Sequence, residues 1–462
     1  MQHIQLHEKQ VSRAHFQFIY PFSQLDGNSQ TLIHYLQENG FTRFLLNNDT
    51  MCQFDLDTSF LALTTNILFP SSEHQKGFQR YTKTLNTIGL LKTKNYKIPF
   101  HIHSLDVIIC PYNLGFLTIR TDINNCSFSH SVDFVDCLHN LNPHIPRYEI
   151  EMEGNVYSTL VTFLFESLLP QLHNFFNNDK VSFLETDTMF VQSLIWIDSD
   201  KIDPVDLYRS GTLCGLNTNG QPFVDANNLD YIYNYLKGNC YNRFAPTTNY
   251  MFQEHSLSCI SIESNTEPSL LTSQFYGFIY YAVVTNLFHK VVLLKIAGIY
   301  SSINLEQDKK EKEKLLYMIN SFTSNYFFTI YPVHAMGKDF FTQLRKCFSI
   351  DALYTNTKDI LFSLVKAEEN KVAKKDSLLL LILTLYTVIC GIFSMNLFTH
   401  DLIGKIKWSH FKSYNPFEYL AVFIVFSGII VVGTLGIQGL YQGYQDRRNK
   451  KKWVQSLLST KK

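Results

Sequence analysis

From Ser377 to Phe398 the chain reads SLLLLILTLYTVICGIFSMNLF, twenty-two residues without a charge. A run this long matches the ~20 residues an α-helix needs to cross a bilayer core of ~30 Å. A second apolar run, Phe417–Tyr441, carries one charged residue, Glu418, at its start. Eighteen residues, Thr399–Pro416, separate the two. The pattern predicts an antiparallel hairpin of two transmembrane helices joined by a short external loop. The competing reading is a pair of buried helices in a soluble core, which two adjacent uncharged runs of this length disfavour.

Flanking basic residues set the expected orientation. The tail after the second run carries Arg447, Arg448, Lys450, Lys451, Lys452, Lys461 and Lys462, and the approach to the first carries Lys366, Lys371, Lys374 and Lys375. The intervening loop holds Lys405, Lys407 and Lys412. Both ends are therefore expected in the cytosol. The first ten residues, MQHIQLHEKQ, contain no apolar stretch, so no cleavable leader is expected. The expected location is the prokaryotic cytoplasmic (plasma) membrane, multi-pass.

Forty basic and forty acidic residues cancel, so nothing global steers the chain toward nucleic acid. Charged residues make up 17%, below the usual ~25%, while 38 Phe and 26 Tyr argue for apolar surface. The nine cysteines are scattered without a Cys-x-x-Cys pair, which signals neither a zinc ribbon nor a disulfide framework.

Ahead of the runs, residues 1–265 alternate β-rich and helical patterns, predicting a mixed α/β or α+β cytosolic domain. His15–Tyr20 reads as a strand ended by Pro21, Gln30–Asn39 as a helix stopped by Gly40, and Phe41–Leu46 as a strand. Phe100–Cys110, the turn Pro111–Gly115 and Phe116–Thr121 form the clearest hairpin. Val156–Phe176 is apolar at helical spacing, and Met189–Ile197 and Ser256–Ile262 read as strands. Residues 266–350 are expected to be a helical bundle. Within it Leu270–Leu305 is apolar but holds His289, Lys290 and Lys295 near its middle, which favours a buried helix over a third span. Glu306–Lys314 reads as an exposed helix face. From Ala352 to Phe398 there is no Pro, predicting one helix ~70 Å long that leaves the domain (stalk, 351–376) and enters the membrane (377–398). The rest divides into a loop (399–416), a second span (417–441) and a basic tail (442–462).

Two helices cannot enclose an aqueous path, so a pore requires several copies around an axis. Leu380, Thr384, Thr387, Gly391 and Ser394 fall on one helical face. Hydroxyls there would line a wet channel; alternatively, small residues there let helices pack tightly, with each Thr bonding its own backbone carbonyl. The stripe Gly433, Gly436, Gly439 and Gly443 reads as packing. His101 and His103 share the spacing of a metal pair on one strand face, with no third ligand apparent nearby in sequence, so ordinary core or surface histidines are the expectation. Asp55 and Asp57 read as a solvated turn. Glu368, Glu369, Lys371, Lys374, Lys375 and Asp376 form a charged collar or a solvated helix face. There is no P-loop, Gly-x-Gly-x-x-Gly, His-Glu-x-x-His or Gly-x-Ser-x-Gly, so an enzyme is not expected.

A long helix running into a first span that ends Ser394-Met395-Asn396, a short loop, a second span and the tail Arg447–Trp453 (RRNKKKW) together resemble the CorA family of magnesium transporters. The family signature is Gly-Met-Asn, so Ser394 stands in place of its glycine; the loop here is basic rather than acidic. The resemblance implies a homopentamer, with the first span lining the pore (Leu380, Thr384, Thr387, Gly391, Ser394, Met395) and Asn396 binding a divalent cation such as Mg²⁺ through its hydration shell. It implies a basic collar at Arg447, Arg448, Lys450, Lys451 and Lys452. It also implies Mg²⁺ as substrate and regulator, and no covalent cofactor. Two other readings stay open: a pore gated by a small nucleotide ligand in prokaryotic antiviral defence, and a membrane-anchored sensor that conducts nothing.

Overall fold

A computed structural model describes residues 4–24, 29–46, 59–71, 77–141, 147–170, 172–175, 188–263, 268–303, 308–327 and 332–394, together with 415, 416, 419, 423, 426, 427 and 430. They fall into two compact units, divided at 303/304, 314/315 and 358/359.

The first unit is built on an eleven-stranded sheet. Its strands are β1 (Gln10–Ser23), β2 (Thr42–Arg43), β3 (Gln79–Thr93), β4 (Lys97–Cys110), β5 (Leu114–Ser127), β6 (Tyr148–Met152), β7 (Asn155–Tyr157), β8 (Phe190–Asp198), β9 (Cys240–Tyr241), β10 (Thr248–Phe252) and β11 (Ser256–Ile262). The order is β7-β6-β3-β4-β5-β1-β8-β11-β10-β9, with β2 pairing β3. The β8–β11 pair is parallel; the other pairs are antiparallel. The main helices are α1 (Ser29–Glu38), α2 (Ala62–Leu68), α3 (Phe128–His139), α4 (Pro204–Thr212), α5 (Leu229–Asn239), α6 (Tyr280–Ser302), α7 (Lys309–Phe322), α8 (Ala335–Cys347) and α9 (Ile350–Ser394), with short helical segments at Leu160–Thr162 and Pro268–Gln274.

Strand alternation divides the sheet into two faces. On one, Phe16, Phe18, Ile102, Leu105, Val107, Leu117 and Ile119 enter the main core with Phe134 and Val135 of α3. On the other lie His15, Gln17, Thr118, Arg120 and Asp122, covered in part by Phe275–Ile279 and α6. Gln17 and Gln192 both donate to the Phe275 carbonyl, at 3.1 and 3.0 Å. Phe78 meets Phe288 edge-on at 4.9 Å. Pro268–Ser302 is long and apolar enough to span a bilayer, yet 67% of its most apolar window is buried. Lys290 pairs with Glu254, and Lys295 donates to the Tyr112 carbonyl. It is a core helix, as its central charges predict.

Three local expectations fail for physical reasons. Pro21 does not end β1, because pairing with β8 stops at Ile19, leaving β1 bonded on one side, where a missing N–H is tolerated. Val156–Phe176 is not one helix. Glu153 and Gly154, both at positive φ, turn the chain so that β7 pairs back on β6, and only short helical turns follow before Pro170. Phe41–Leu46 contributes only the two residues of β2. Within Glu306–Lys314, Glu311 is exposed but Lys312 is buried.

The second unit contains most of α9. This helix runs unbroken for 45 residues, ~68 Å at 1.5 Å per residue. Its first turns belong to the sheet-bearing unit, where Tyr354 stacks on Phe327 at 4.2 Å.

Candidate functional site

Two places concentrate features that a folded core does not need. The first is a line of polar side chains along the helix-covered face of the sheet. His15 of β1, Asp122 of β5 and His101 of β4 are register partners, so they form one row across three neighbouring strands. A register shift between Ile102 and Ser104 places a bulge at His103. Bulges re-aim side chains, and this one changes which alternate residues point to the core: Phe100 and Ile102 before it, Leu105 and Val107 after it. His103 thereby joins His101 over Asp122. His101 Nδ1 and His103 Nε2 each lie 3.0 Å from the same oxygen, Asp122 Oδ1. The ligand atoms of all three side chains lie within 4.8 Å of one another.

The surroundings hold this cluster in place. Asn124 Nδ2 donates to the other carboxylate oxygen at 3.1 Å. His15 Nδ1 lies 3.1 Å from the Tyr276 hydroxyl, and its ring centroid is 5.9 Å from that of His103. Burial pushes the His15 imidazole down to about 4; Asp122 opposes this, while His103 and Arg13 add to it. For Asp122, burial acts to raise the carboxyl, but hydrogen bonds and charge from His103 and His101 outweigh it and hold the group below the usual range. The cluster stays reachable: His101 and His103 are 32% and 33% exposed, Asp122 13%.

Farther along the same face, Asp106 is fully buried between two arginines, with Oδ2 3.0 Å from Arg80 Nη2 and 2.9 Å from Arg120 Nη2. Arg80 Nη1 donates to Tyr281 at 2.7 Å, and Thr118 bonds Tyr280 at 2.9 Å. Burial acts to raise the Asp106 carboxyl, and the guanidiniums of Arg120 and Arg80 overcome it. These contacts lock α6 onto the sheet.

The second place is α9. Leu378, Leu380, Leu381, Leu383, Leu385 and Val388 are 53–62% exposed. At roughly 100° per residue these positions spread around the helix instead of forming one stripe. The less exposed residues, Leu379, Ile382 and Tyr386, share one face. From that face the Tyr386 hydroxyl meets Ser427 Oγ at 3.1 Å. Ser427 belongs to the second apolar run, of which Tyr419, Phe423, Phe426 and Ile430 are also helical and exposed. Leu380, Thr384, Thr387 and Gly391 lie together on a different, exposed face. Thr384 Oγ1 donates to the Leu381 carbonyl at 2.9 Å and Thr387 Oγ1 to that of Leu383 at 2.7 Å, the self-bonded arrangement anticipated for tight packing. Ser394 is the last residue of α9. Met395, Asn396, the collar Arg447, Arg448, Lys450, Lys451 and Lys452, the stripe Gly433–Gly443, and Asp55 and Asp57 lie outside the described residues. Glu369, Lys374, Lys375 and Asp376 are exposed, as a solvated face would be.

Asp122 is the functional candidate that the sequence pattern misses. It stands one residue past the expected end of β5, and only strand pairing brings it under the histidine pair. No protein-family model, curated protein or solved structure matches this chain.

Proposed function

We propose that the chain is a membrane-embedded homo-oligomer resembling the CorA-type transporters, which passes divalent cations such as Mg²⁺ through a path lined by α9 and is regulated by its sheet domain. The observation that carries this reading is the exposure of large apolar side chains around α9 from Leu378 to Val388. Each Leu or Val left in water forfeits about 1.5–3 kcal/mol of transfer free energy. An exposed rod of six such residues is stable only in lipid or against other chains. A soluble coiled coil would cover one seam of a helix; among the described residues of the apolar segment the less exposed ones are Leu379, Ile382 and Tyr386, on the side of Ser427.

With their protons given to backbone carbonyls, Thr384 and Thr387 keep their hydroxyl oxygens as acceptors, an arrangement that serves both helix packing and a polar lining. An acceptor surface suits the water shell of a cation, whose hydrogens point away from the ion, and suits a hydrated anion poorly. Mg²⁺ dehydrates reluctantly, so contacts through its water shell fit this lining. Copies of α9 around an axis would bring these stripes together, with Asn396 following at the outer end. The continuity of α9 from Tyr354 into the apolar segment supports coupling between domain and path.

The test is flux into proteoliposomes containing the full chain and a Mg²⁺-sensitive dye. Entry that Asn396→Ala abolishes without changing the size of the detergent-solubilised oligomer is the expected result. Absence of flux under all conditions would leave a membrane-anchored sensor, and flux appearing only with added nucleotide would make the pore ligand-gated.

A further inference from the structure

We propose that His101, His103 and Asp122 form a binding site for one divalent transition-metal ion of the zinc class, held within a single copy of the sheet domain. Its donor set is two imidazole nitrogens and one carboxylate oxygen. Zinc and its first-row neighbours take such mixed nitrogen and oxygen donors, whereas Mg²⁺ and Ca²⁺ favour all-oxygen shells. The site is thus chemically separate from a path for hydrated Mg²⁺, and it stands or falls independently of the membrane reading.

Four observations converge on the site. The donor atoms lie within 4.8 Å of one another, while ligands at 2.0–2.2 Å from a tetrahedral ion sit about 3.3 Å apart. Small side-chain rotations close that difference. Secondly, the His103 Nε2 atom is buried and lies 3.0 Å from Asp122 Oδ1, the same oxygen that His101 Nδ1 approaches to 3.0 Å, so both imidazole nitrogens already converge on one carboxylate oxygen. An ion there would take all three groups as ligands. Thirdly, the carboxylate is oriented from behind by Asn124, the kind of outer contact that fixes metal ligands. Fourthly, a strand bulge sets His103 over Asp122 beside His101 at a partly open place on the sheet, so an ion and a completing water can reach all three without unfolding. His15 and Tyr276 wall the other side through their mutual contact.

The experiment uses the full chain in detergent, without a polyhistidine tag. After equilibrium dialysis against micromolar Zn²⁺ in the presence of millimolar Mg²⁺, about one zinc per chain is expected by elemental analysis. His101→Ala, His103→Ala and Asp122→Asn should each weaken binding by about tenfold or more, while His34→Ala, at an exposed helical site, should not. Co²⁺ supplies a readout that needs no variant. Intense visible absorption of a four- or five-coordinate ion is expected in the wild-type chain, and a pale octahedral spectrum would overturn the assignment. So would zinc binding that persists unchanged when all three residues are replaced, or less than about 0.2 ion per wild-type chain. None of these readings depends on flux, so failure here leaves the transport proposal untouched and the converse also holds.

Discussion

An imidazole enclosed by aromatic rings resists protonation, and His289 is such a group. It is fully buried, with Phe288, Phe322 and Phe327 at ring-centroid distances of 6.1, 5.8 and 5.4 Å. Burial pushes it down to about 3, and Arg345 acts in the same direction. The unfolded chain takes up this proton below pH ~6.5, whereas the folded chain does not until about 3. The stability contribution is therefore complete above pH 6.5 and is lost as the pH falls through that window, by about 1.4 kcal/mol per unit. Thermal unfolding of the detergent-solubilised chain should weaken more steeply between pH 6.5 and 4 than that of His289→Leu, the gap growing to about 3 kcal/mol. Parallel pH profiles for the two proteins would refute this. The same residue made the helix legible from sequence: a span with His289, Lys290 and Lys295 near its centre is costly, and a core helix that pairs its lysines is not.

At the scale of elements, periodic stretches and the turn joining β4 to β5 were readable, and the turn at Glu153–Gly154 was not. β8 and β11 match the expected strands to within a residue or two, and α9 matches the expected helix as far as Ser394, because apolar periodicity and the absence of Pro act over many residues. The Val156–Phe176 segment misled because two residues at positive φ, Glu153 and Gly154, decide its course, while apolar spacing says nothing of them. The histidine–aspartate cluster was half legible. Spacing puts His101 and His103 on one face, but Asp122 is found only by running the hairpin register past Thr121 and through the bulge at His103. For α9 the question is what surrounds it, and Leu385, 53% exposed near the middle of the apolar segment, is the position to ask. In lipid, Leu385→Arg costs about 2.5–3.5 kcal/mol for insertion, and the variant should lose membrane incorporation severalfold. On a helix standing in water the same exposed substitution stays within about 0.5 kcal/mol. Unchanged yield and fractionation would speak against lipid contact.

For the whole molecule, the two units carry different chemistry. The sheet-bearing unit closes a large core on one face and, on the other, a polar line that begins at the His101–His103–Asp122 cluster and ends in the buried Arg80–Asp106–Arg120 group. In the second unit α9 presents apolar side chains that are 53–62% exposed, with a hydroxyl-bearing stripe. α9 is common to both. The transport reading depends on α9 leaving water. The direct test is alkaline carbonate extraction of membranes from cells expressing the untagged full chain. The account predicts that the protein stays in the pelleted bilayer and is released only by detergent. Recovery in the carbonate supernatant, or in the soluble fraction before any wash, would contradict it.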